Sequence, residues 1–546
     1  MLAEAVTPWS GVDVGQHLFL FSPMIALLAT MLAIVTCPLV AGRGARTIAG
    51  LSSVGVIIAF VLAWRVLGAV ASGGVSGLAP DASAGVLIAD SLSVGFQIIL
   101  LAFLGGVMYL WWMGSAETEL NAPEFFILLI GSALGMGLMV STTNLLMIVV
   151  AIETASLPSY AIVGFDKRDR KGAEASLKYM VFGAVSAAIM LYGVSLLYGL
   201  TGSLSVADLA RFTVEQLSLG QNGLILALGL FCLLGGIAFK IAAVPFHFWC
   251  PDAFEGAKIE VTTWLSVSSK AAGLVLLSRL VAAFSGAVDG PTAMSVLSPL
   301  AWTIGIMAAV TCTVGNFAAY KQRSVKRLLA YSSIAHAGYM MMAAAVFLHP
   351  STSGATAGIT AIVLYVVIYV VMNLGAFGVA SMVTWSTGSD DIESFSGLMR
   401  RGPWLAVPMV VCLMSLVGLP PLAGFLGKWW ILLALGKLNS PLGWILVVVA
   451  VVNTLISLYF YMRVVVQMTL RESTEREIDA PIGGLALVNV CAAMLLALTV
   501  FATPLKDAAG RVSAELYRPV ASAGWSHEPA KLASTVSDQP GTLSNR

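Results

Sequence analysis

Long apolar runs and short polar breaks alternate along most of this 546-residue chain. A helix needs about 20 apolar residues to cross the hydrocarbon layer of a bilayer. That ruler picks out fourteen spans, at 18–41, 47–70, 91–113, 123–141, 143–165, 174–200, 222–249, 257–284, 295–317, 325–348, 356–385, 404–434, 441–468 and 483–503. The pattern predicts an all-α polytopic membrane protein. The opening MLAEAVTPWSGVDVGQH lacks a basic stretch and carries Glu4 and Asp13, so the first span reads as a retained anchor rather than a cleaved signal. Beyond residue 518 the chain turns polar and rich in Ser, Pro and Gly, which predicts a disordered tail.

Lysine and arginine fall in every second loop. Arg43 and Arg46 begin the series, followed by Lys167, Arg168, Arg170 and Lys171, then Lys258, then Lys321, Arg323, Lys326 and Arg327. Arg400, Arg401, Arg471 and Arg476 complete fifteen, against Arg211 and Lys437 in the opposite loops. Positive charge stays on the cytoplasmic side, so this bias predicts both termini outside. It also supports the span count, because one missed helix would scramble the alternation.

Composition changes the picture only by exclusion. Charged residues make up 10% of the chain and apolar ones 58%. Soluble domains carry about 25% charged residues, so most of this chain does not meet water. A net charge of +1 offers nothing to nucleic acid. The six cysteines, at 37, 232, 250, 312, 412 and 491, form no CxxC pair and read as small core residues. No phosphate-binding glycine motif and no cluster of metal ligands is visible. The driving energy must therefore come from an ion gradient or from a partner subunit.

A weak repeat runs through the middle. Proline interrupts the seventh span at Pro245 and the twelfth at Pro420 and Pro421. The offset from Pro245 to Pro421 is 176 residues, and from Tyr160 to Tyr339 it is 179. Matching spans are five apart, an odd number, so the two halves face opposite ways, as in transporters built from inverted repeats with broken helices. The expected division is 1–120 for three N-terminal helices, 121–285 and 286–470 for two five-helix repeats, 471–518 for the last helix, and 519–546 for the tail.

The informative residues are charges inside apolar spans: Glu153, Lys178, Lys240, Lys270 and Lys428, with His247 and His336. Each ion at mid-membrane costs roughly 2.5–3.5 kcal/mol, and five unpaired would cost on the order of 15 kcal/mol, as much as a domain's stability. They must be paired, hydrated or neutral. A lysine pulled down by desolvation and up by a carboxylate can exchange a proton near neutral pH. Glu153 with Lys178 is the expected modulating pair, Lys240 and Lys270 the relay, His247 and His336 the bridge to the second half, and Lys428 the end of the route. Plainer readings stand beside these. Lys178 lies near its helix start and can snorkel. Glu153 can be a structural ion pair, His336 a bonded core histidine, and His247 a cap for carbonyls freed by Pro245. Arg65, Arg279 and Arg463 read as anchors near helix ends. Breaks in lipid survive only against protein or water, so Pro245 and the GLPPLAGF stretch before Lys428 mark wet places.

These residues lie in motifs that resemble a known family: IETASLPSYAIVGF at 152–165, EASLKYMVFGAVSAAIMLYGVSLLYGLTGS at 174–203, FKIAAVPFHFWCPDAFEGA at 239–257, KRLLAYSSIAHAGYM at 326–340 and SLVGLPPLAGFLGKWW at 415–430. Over roughly 90–470 the chain resembles the antiporter-like subunits of respiratory complex I, nearest to the subunit N family of bacterial NADH–quinone oxidoreductases. The resemblance implies fourteen helices in two inverted repeats. It also implies proton translocation through Glu153, Lys178, Lys240, Lys270 and Lys428 with His247 and His336, driven by quinone reduction. NADH, FMN, iron–sulfur clusters and quinone would belong to partner subunits, and the neighbours would be other membrane-arm subunits in a bacterial inner membrane. Two departures stand out. Relatives usually continue after EGA with a proline-containing PTPVT-like stretch, where this chain has Lys258, Ile259 and Glu260, and they usually carry proline where this chain has Ser269. A sodium/proton antiporter subunit of the multisubunit type and a purely structural membrane-arm subunit are the alternatives. The electron donor and the quinone stay open.

Overall fold

The computed structural model describes residues 14–40, 42–72, 86–114, 121–287, 293–346, 352–472 and 478–513. The tail expected at 519–546 lies outside the described residues, as do Glu4 and Asp13. Among the described residues the regular structure is helical. The chain runs through α1 (Val14–Leu20), α2 (Ser22–Val40), α3 (Ala45–Ala71), α4 (Ser91–Gly114), α5 (Ala122–Ser141), α6 (Leu145–Val163) and α7 (Arg170–Thr201). It continues through α8 (Val206–Ser218), α9 (Gly223–Ile241), α10 (Trp249–Gly256), α11 (Ile259–Gly286), α12 (Ala293–Ala319) and α13 (Val325–Val346). Then follow α14 (Thr352–Thr387), α15 (Leu398–Arg401), α16 (Pro403–Val417), α17 (Ala423–Lys437), α18 (Pro441–Leu470), α19 (Ile482–Val500) and α20 (Ala502–Ser513).

Twelve of these helices are long and apolar enough to cross a membrane in one piece. The other two expected spans are α13, diluted by Ser, His and Lys, and the α16–α17 pair, split by its prolines. The seventh span is also shorter than the apolar run suggests. It ends at Ile241, and α10 resumes only at Trp249, because Ala242 turns left-handed and Pro245 offers no N–H. Two further helices lie outside the spans, α8 between the sixth and seventh and α20 within the segment assigned to the last helix, each with one apolar face and too many polar residues to span.

Alternate loops do gather at common ends. At one end, Ile88 N donates to Ser141 O, and Leu145 N to Leu204 O. At the end rich in Lys and Arg, Val325 N donates to Asp390 O, and Ile392 N to Arg323 O. Helices α11 and α14 form the centre, with 94% and 89% of their apolar windows buried, against 28% for the rim helix α19. A central helix meets protein on every side, so α11 can carry Thr262, Thr263, Ser266, Ser268, Ser269 and Lys270 without exposing them to lipid. Glycines let neighbours close in: a Cβ at Gly135 would lie 2.2 Å from Ala155 N, and one at Gly338 would lie 2.5 Å from Cys312 N.

Arg279 is not the interfacial anchor the sequence suggested. It is buried, donates to Val140 O at 2.8 Å, and pairs with Asp90 Oδ1 at 2.6 Å. Burial pushes the Asp90 carboxyl up, but the Arg279 guanidinium together with hydrogen bonds from Ser93 outweighs it and holds the carboxyl below its ordinary range. Arg279→Leu is expected to strand this carboxylate and to cost about 3–5 kcal/mol, read as a lowered melting temperature in detergent. Adding Asp90→Asn should recover most of the loss. The pair's contribution is present above the ordinary carboxylate pKa and fades as pH falls through the lowered value.

Candidate functional site

Two broken helices organise the interior. At the first, Ala243 N donates to Ala238 O at 2.8 Å, and Trp249 Nε1 donates to Phe239 O at 3.0 Å. Val244 N reaches across to Thr311 Oγ1 at 2.9 Å. At the second, Gly418 has φ +86, Leu419 N donates to Met414 O at 3.2 Å, and Gly424 N donates to Ser415 Oγ at 3.0 Å. Backbone groups released by the prolines thus find protein partners. Lys240 stands on the last turn before the first break, and Lys428 on the second turn after the other.

Each buried lysine has its own means of support. Lys240 donates to Ser156 Oγ at 3.1 Å, one turn from Glu153 on α6, and the charges acting on it are Glu153 and Lys270. Lys270 donates to Cys250 Sγ at 3.5 Å and Leu265 O at 3.4 Å. Its ammonium lies 4.7 Å from the ring centre of Phe254 and 5.4 Å from that of Trp249. Aromatic faces offset part of the cost of a desolvated cation. Lys428 donates to Val417 O at 2.8 Å, an orphan carbonyl of the break, and lies 4.4 Å from the ring centre of Tyr339.

The polar groups lying between Lys270 and Lys428 are few. Cys250 Sγ lies 3.9 Å from Ser333 Oγ, and Ser333 is one turn before His336 on α13. His336 is hydrogen-bonded through Nδ1 with Tyr365 at 2.6 Å and through Nε2 with Tyr461 at 3.3 Å. Tyr461 in turn pairs closely with Ser332.

Two expected roles change. Lys178 does not pair with Glu153. Its Nζ bonds Glu174 at 2.8 Å and Asp252 at 3.0 Å, with its side chain 43% exposed. Register explains this: α6 and α7 meet with the Tyr160 and Tyr179 rings 4.6 Å apart, so Lys178 sits opposite residue 160, about 10 Å along the axis from Glu153. Glu153 is half-buried and looks to Lys240 instead. His247 stands in the first break against Phe248, and its buried Nδ1 has no hydrogen-bond partner among the described residues, so the expected bridge is not made by a direct bond from that atom. Sequence reasoning missed Asp252, which Arg327 also grips at 3.0 Å, and the hydroxyls of Tyr365 and Tyr461. It also took Cys250 for packing alone. The only available signal was that Cys250 and Asp252 share the PFHFWCPD stretch with the break. Among the described residues no group of three or more His, Cys, Asp or Glu is placed to hold a metal ion.

Broken, inward-facing helices that carry titratable lysines define a class of polytopic membrane proteins built for ion movement. Residues 142–457 match the family described as NADH:quinone oxidoreductase/Mrp antiporter, TM. NADH-quinone oxidoreductase subunit N 2 of Sorangium cellulosum (strain So ce56) is 37% identical, covering 92% of this chain and 98% of the relative. Subunit N of Anaeromyxobacter sp. (strain Fw109-5) is 39% identical, covering 71% of this chain and 76% of the relative. A chain of respiratory complex I from Thermus thermophilus with bound aureothin superposes with a TM-score of 0.72 at 31% identity, covering 90% of this chain and 99% of that one. The chain belongs to the NADH-quinone oxidoreductase subunit N family.

Gly418 tests the second break. Only glycine adopts φ +86 without strain, and a Cβ there would lie 2.9 Å from Lys428 Cδ. Gly418→Ala should cost about 1–2 kcal/mol for the left-handed backbone alone, measured as a lowered melting temperature. It should also displace the Lys428 side chain from Val417 O.

Proposed function

We propose that this chain is a proton-translocating membrane subunit of a bacterial NADH–quinone oxidoreductase. NADH, FMN, iron–sulfur clusters and quinone belong to partner subunits, and this chain contributes the ion path. It lies in the inner membrane beside other membrane-arm subunits, with the Lys- and Arg-rich end in the cytoplasm and both termini in the periplasm. Segments 121–285 and 286–470 act as inverted repeats around the two breaks.

The observation that carries this reading is the line of groups from Glu153 and Lys240 through Lys270 to His336 and Lys428, each held at a broken or buried helix. In it Lys240 and Lys270 exchange protons under the influence of Glu153, His336 passes them on with Tyr365 and Tyr461, and Lys428 releases them. Lys178 has the role of a mouth residue, gathering charge at the cytoplasmic face with Asp252, and His247 lines the first break. Moving one charge against 100 mV takes about 2.3 kcal/mol. A charge pair changing partners at 4 Å in an effective dielectric of 20 supplies about 4 kcal/mol, enough for one step.

Lys240→Arg separates a proton carrier from a structural cation, because arginine keeps the charge but does not deprotonate. In vesicles holding the assembled complex, Lys240→Arg and Glu153→Ala should lower NADH-driven proton uptake severalfold while the complex stays intact on native gels. Wild-type proton uptake in an assembled Lys240→Arg complex would reject the role. Sodium-dependent transport without NADH would point to sodium/proton exchange instead.

A further inference from the structure

The two departures from the relatives' pattern, Lys258-Ile259-Glu260 and Ser269, lie on one helix and form one feature. At the Lys- and Arg-rich end a cavity of about 300 Å³ opens between the loop before α7, the start of α11, α13 and the end of α14. Asp166, Asp169, Lys258, Glu260, Lys326 and Trp385 line it. Glu260 is only 2% exposed, yet it lines the cavity. From Glu260 polar residues recur at every third position, Thr263, Ser266 and Ser269, each 0% exposed, and wind about half-way round α11 as they climb it. Side chains three apart on a helix are neighbours, with Cβ atoms about 5–6 Å apart. Ser269 Oγ donates to Leu265 O at 2.8 Å, and Lys270 Nζ donates to the same carbonyl at 3.4 Å. The row therefore starts at the cavity and ends beside the Lys270 ammonium.

We propose that Glu260 is a proton-loading carboxylate that takes protons from this cavity and passes them along Thr263, Ser266 and Ser269 to Lys270. The proposal rests on the reading of Lys270 as a proton carrier. A proton from water in the cavity adds to the Glu260 carboxylate. Each hydroxyl then accepts a proton on its oxygen as it swings its own O–H from the helix carbonyl it now bonds to the next acceptor, with water filling the gaps, and the Lys270 amine ends as ammonium. The hydroxyls already point their protons at helix carbonyls, Thr263 to Ile259 O and Ser266 to Thr263 O, both at 2.7 Å. Their lone pairs are left to accept. The cavity suits a loading site because both signs surround the carboxylate. Lys258 precedes it on the chain, Lys326 faces it from α13 with Asp390 at 3.9 Å, and Asp166 and Asp169 face it from the loop before α7. Burial lowers the pKa of the Lys258 ammonium, and the Glu260 carboxylate opposes that shift.

The test uses the assembled complex in proteoliposomes, with NADH-driven proton translocation followed across the neutral and alkaline range. Glu260→Gln keeps the shape and removes the proton site. It should slow translocation by about tenfold, less than the 10²–10⁴ typical of a positioned acid–base group because water substitutes in part. The loss should grow toward alkaline pH, where free protons are scarce. Glu260→Asp should restore most of the rate, and Thr263→Val and Ser269→Ala should each slow it without altering assembly. A Glu260→Gln complex that assembles and pumps as wild type at every pH overturns the proposal. If Lys240→Arg also pumps normally, the proton-path reading itself fails. If Lys240→Arg is impaired while Glu260→Gln is not, only this intake route is wrong.

Discussion

A lysine ammonium taken out of water needs something in place of its hydration shell, and the interior of this protein is arranged around meeting that demand three times. The first lysine has a serine hydroxyl and a distant carboxylate, the second has a thiol and two aromatic faces, and the third has a carbonyl that a broken helix leaves without its usual partner. Among these supports, none within hydrogen-bonding range of a lysine is a full counter-ion. A tight carboxylate partner would hold each ammonium permanently charged. Neutral or polarisable partners impose no such lock.

That demand also accounts for the architecture. An unwound stretch in lipid is tolerated only where its polar groups find protein or water, and here Val244 N reaches Thr311 of α12 and Lys428 takes up Val417 O, although Pro245, Pro420 and Pro421 themselves are exposed. Lys240 precedes its break and Lys428 follows its own, so the two lysines approach from opposite sides of similar interruptions. The surrounding helices screen the central α11 and α14 from lipid, which is why α11 can carry a high content of hydroxyls.

Much of this was legible in the chain itself. The length of apolar runs located the twelve helices that can cross in one piece, and it also marked α13 and the α16–α17 pair. The alternation of basic loops ordered the two ends. Proline positions located both breaks, although the seventh span was read through to residue 249 since Ala242 and Ala243 look as apolar as their neighbours. What stayed hidden was partnership. Nothing in a linear pattern says that α6 and α7 meet in a register placing Lys178 two turns from Glu153, or that Asp90 and Arg279, far apart in sequence, close on each other. Cys250, Tyr365 and Tyr461 were invisible for a simpler reason: inside an apolar run, a thiol or phenol looks the same whether it packs or bonds.

The Asp252 carboxylate, held by Lys178 from one half and Arg327 from the other, has a mechanical side. It is a clasp made of partly wetted charges, joining the halves where ions from solution can reach it, whereas the deep lysines lie where they cannot. Mobile salt on that face screens the clasp over about a nanometre and leaves the interior untouched. The contact that Asp252 makes with Lys178 and Arg327 is thus the salt-sensitive part of the packing at that surface.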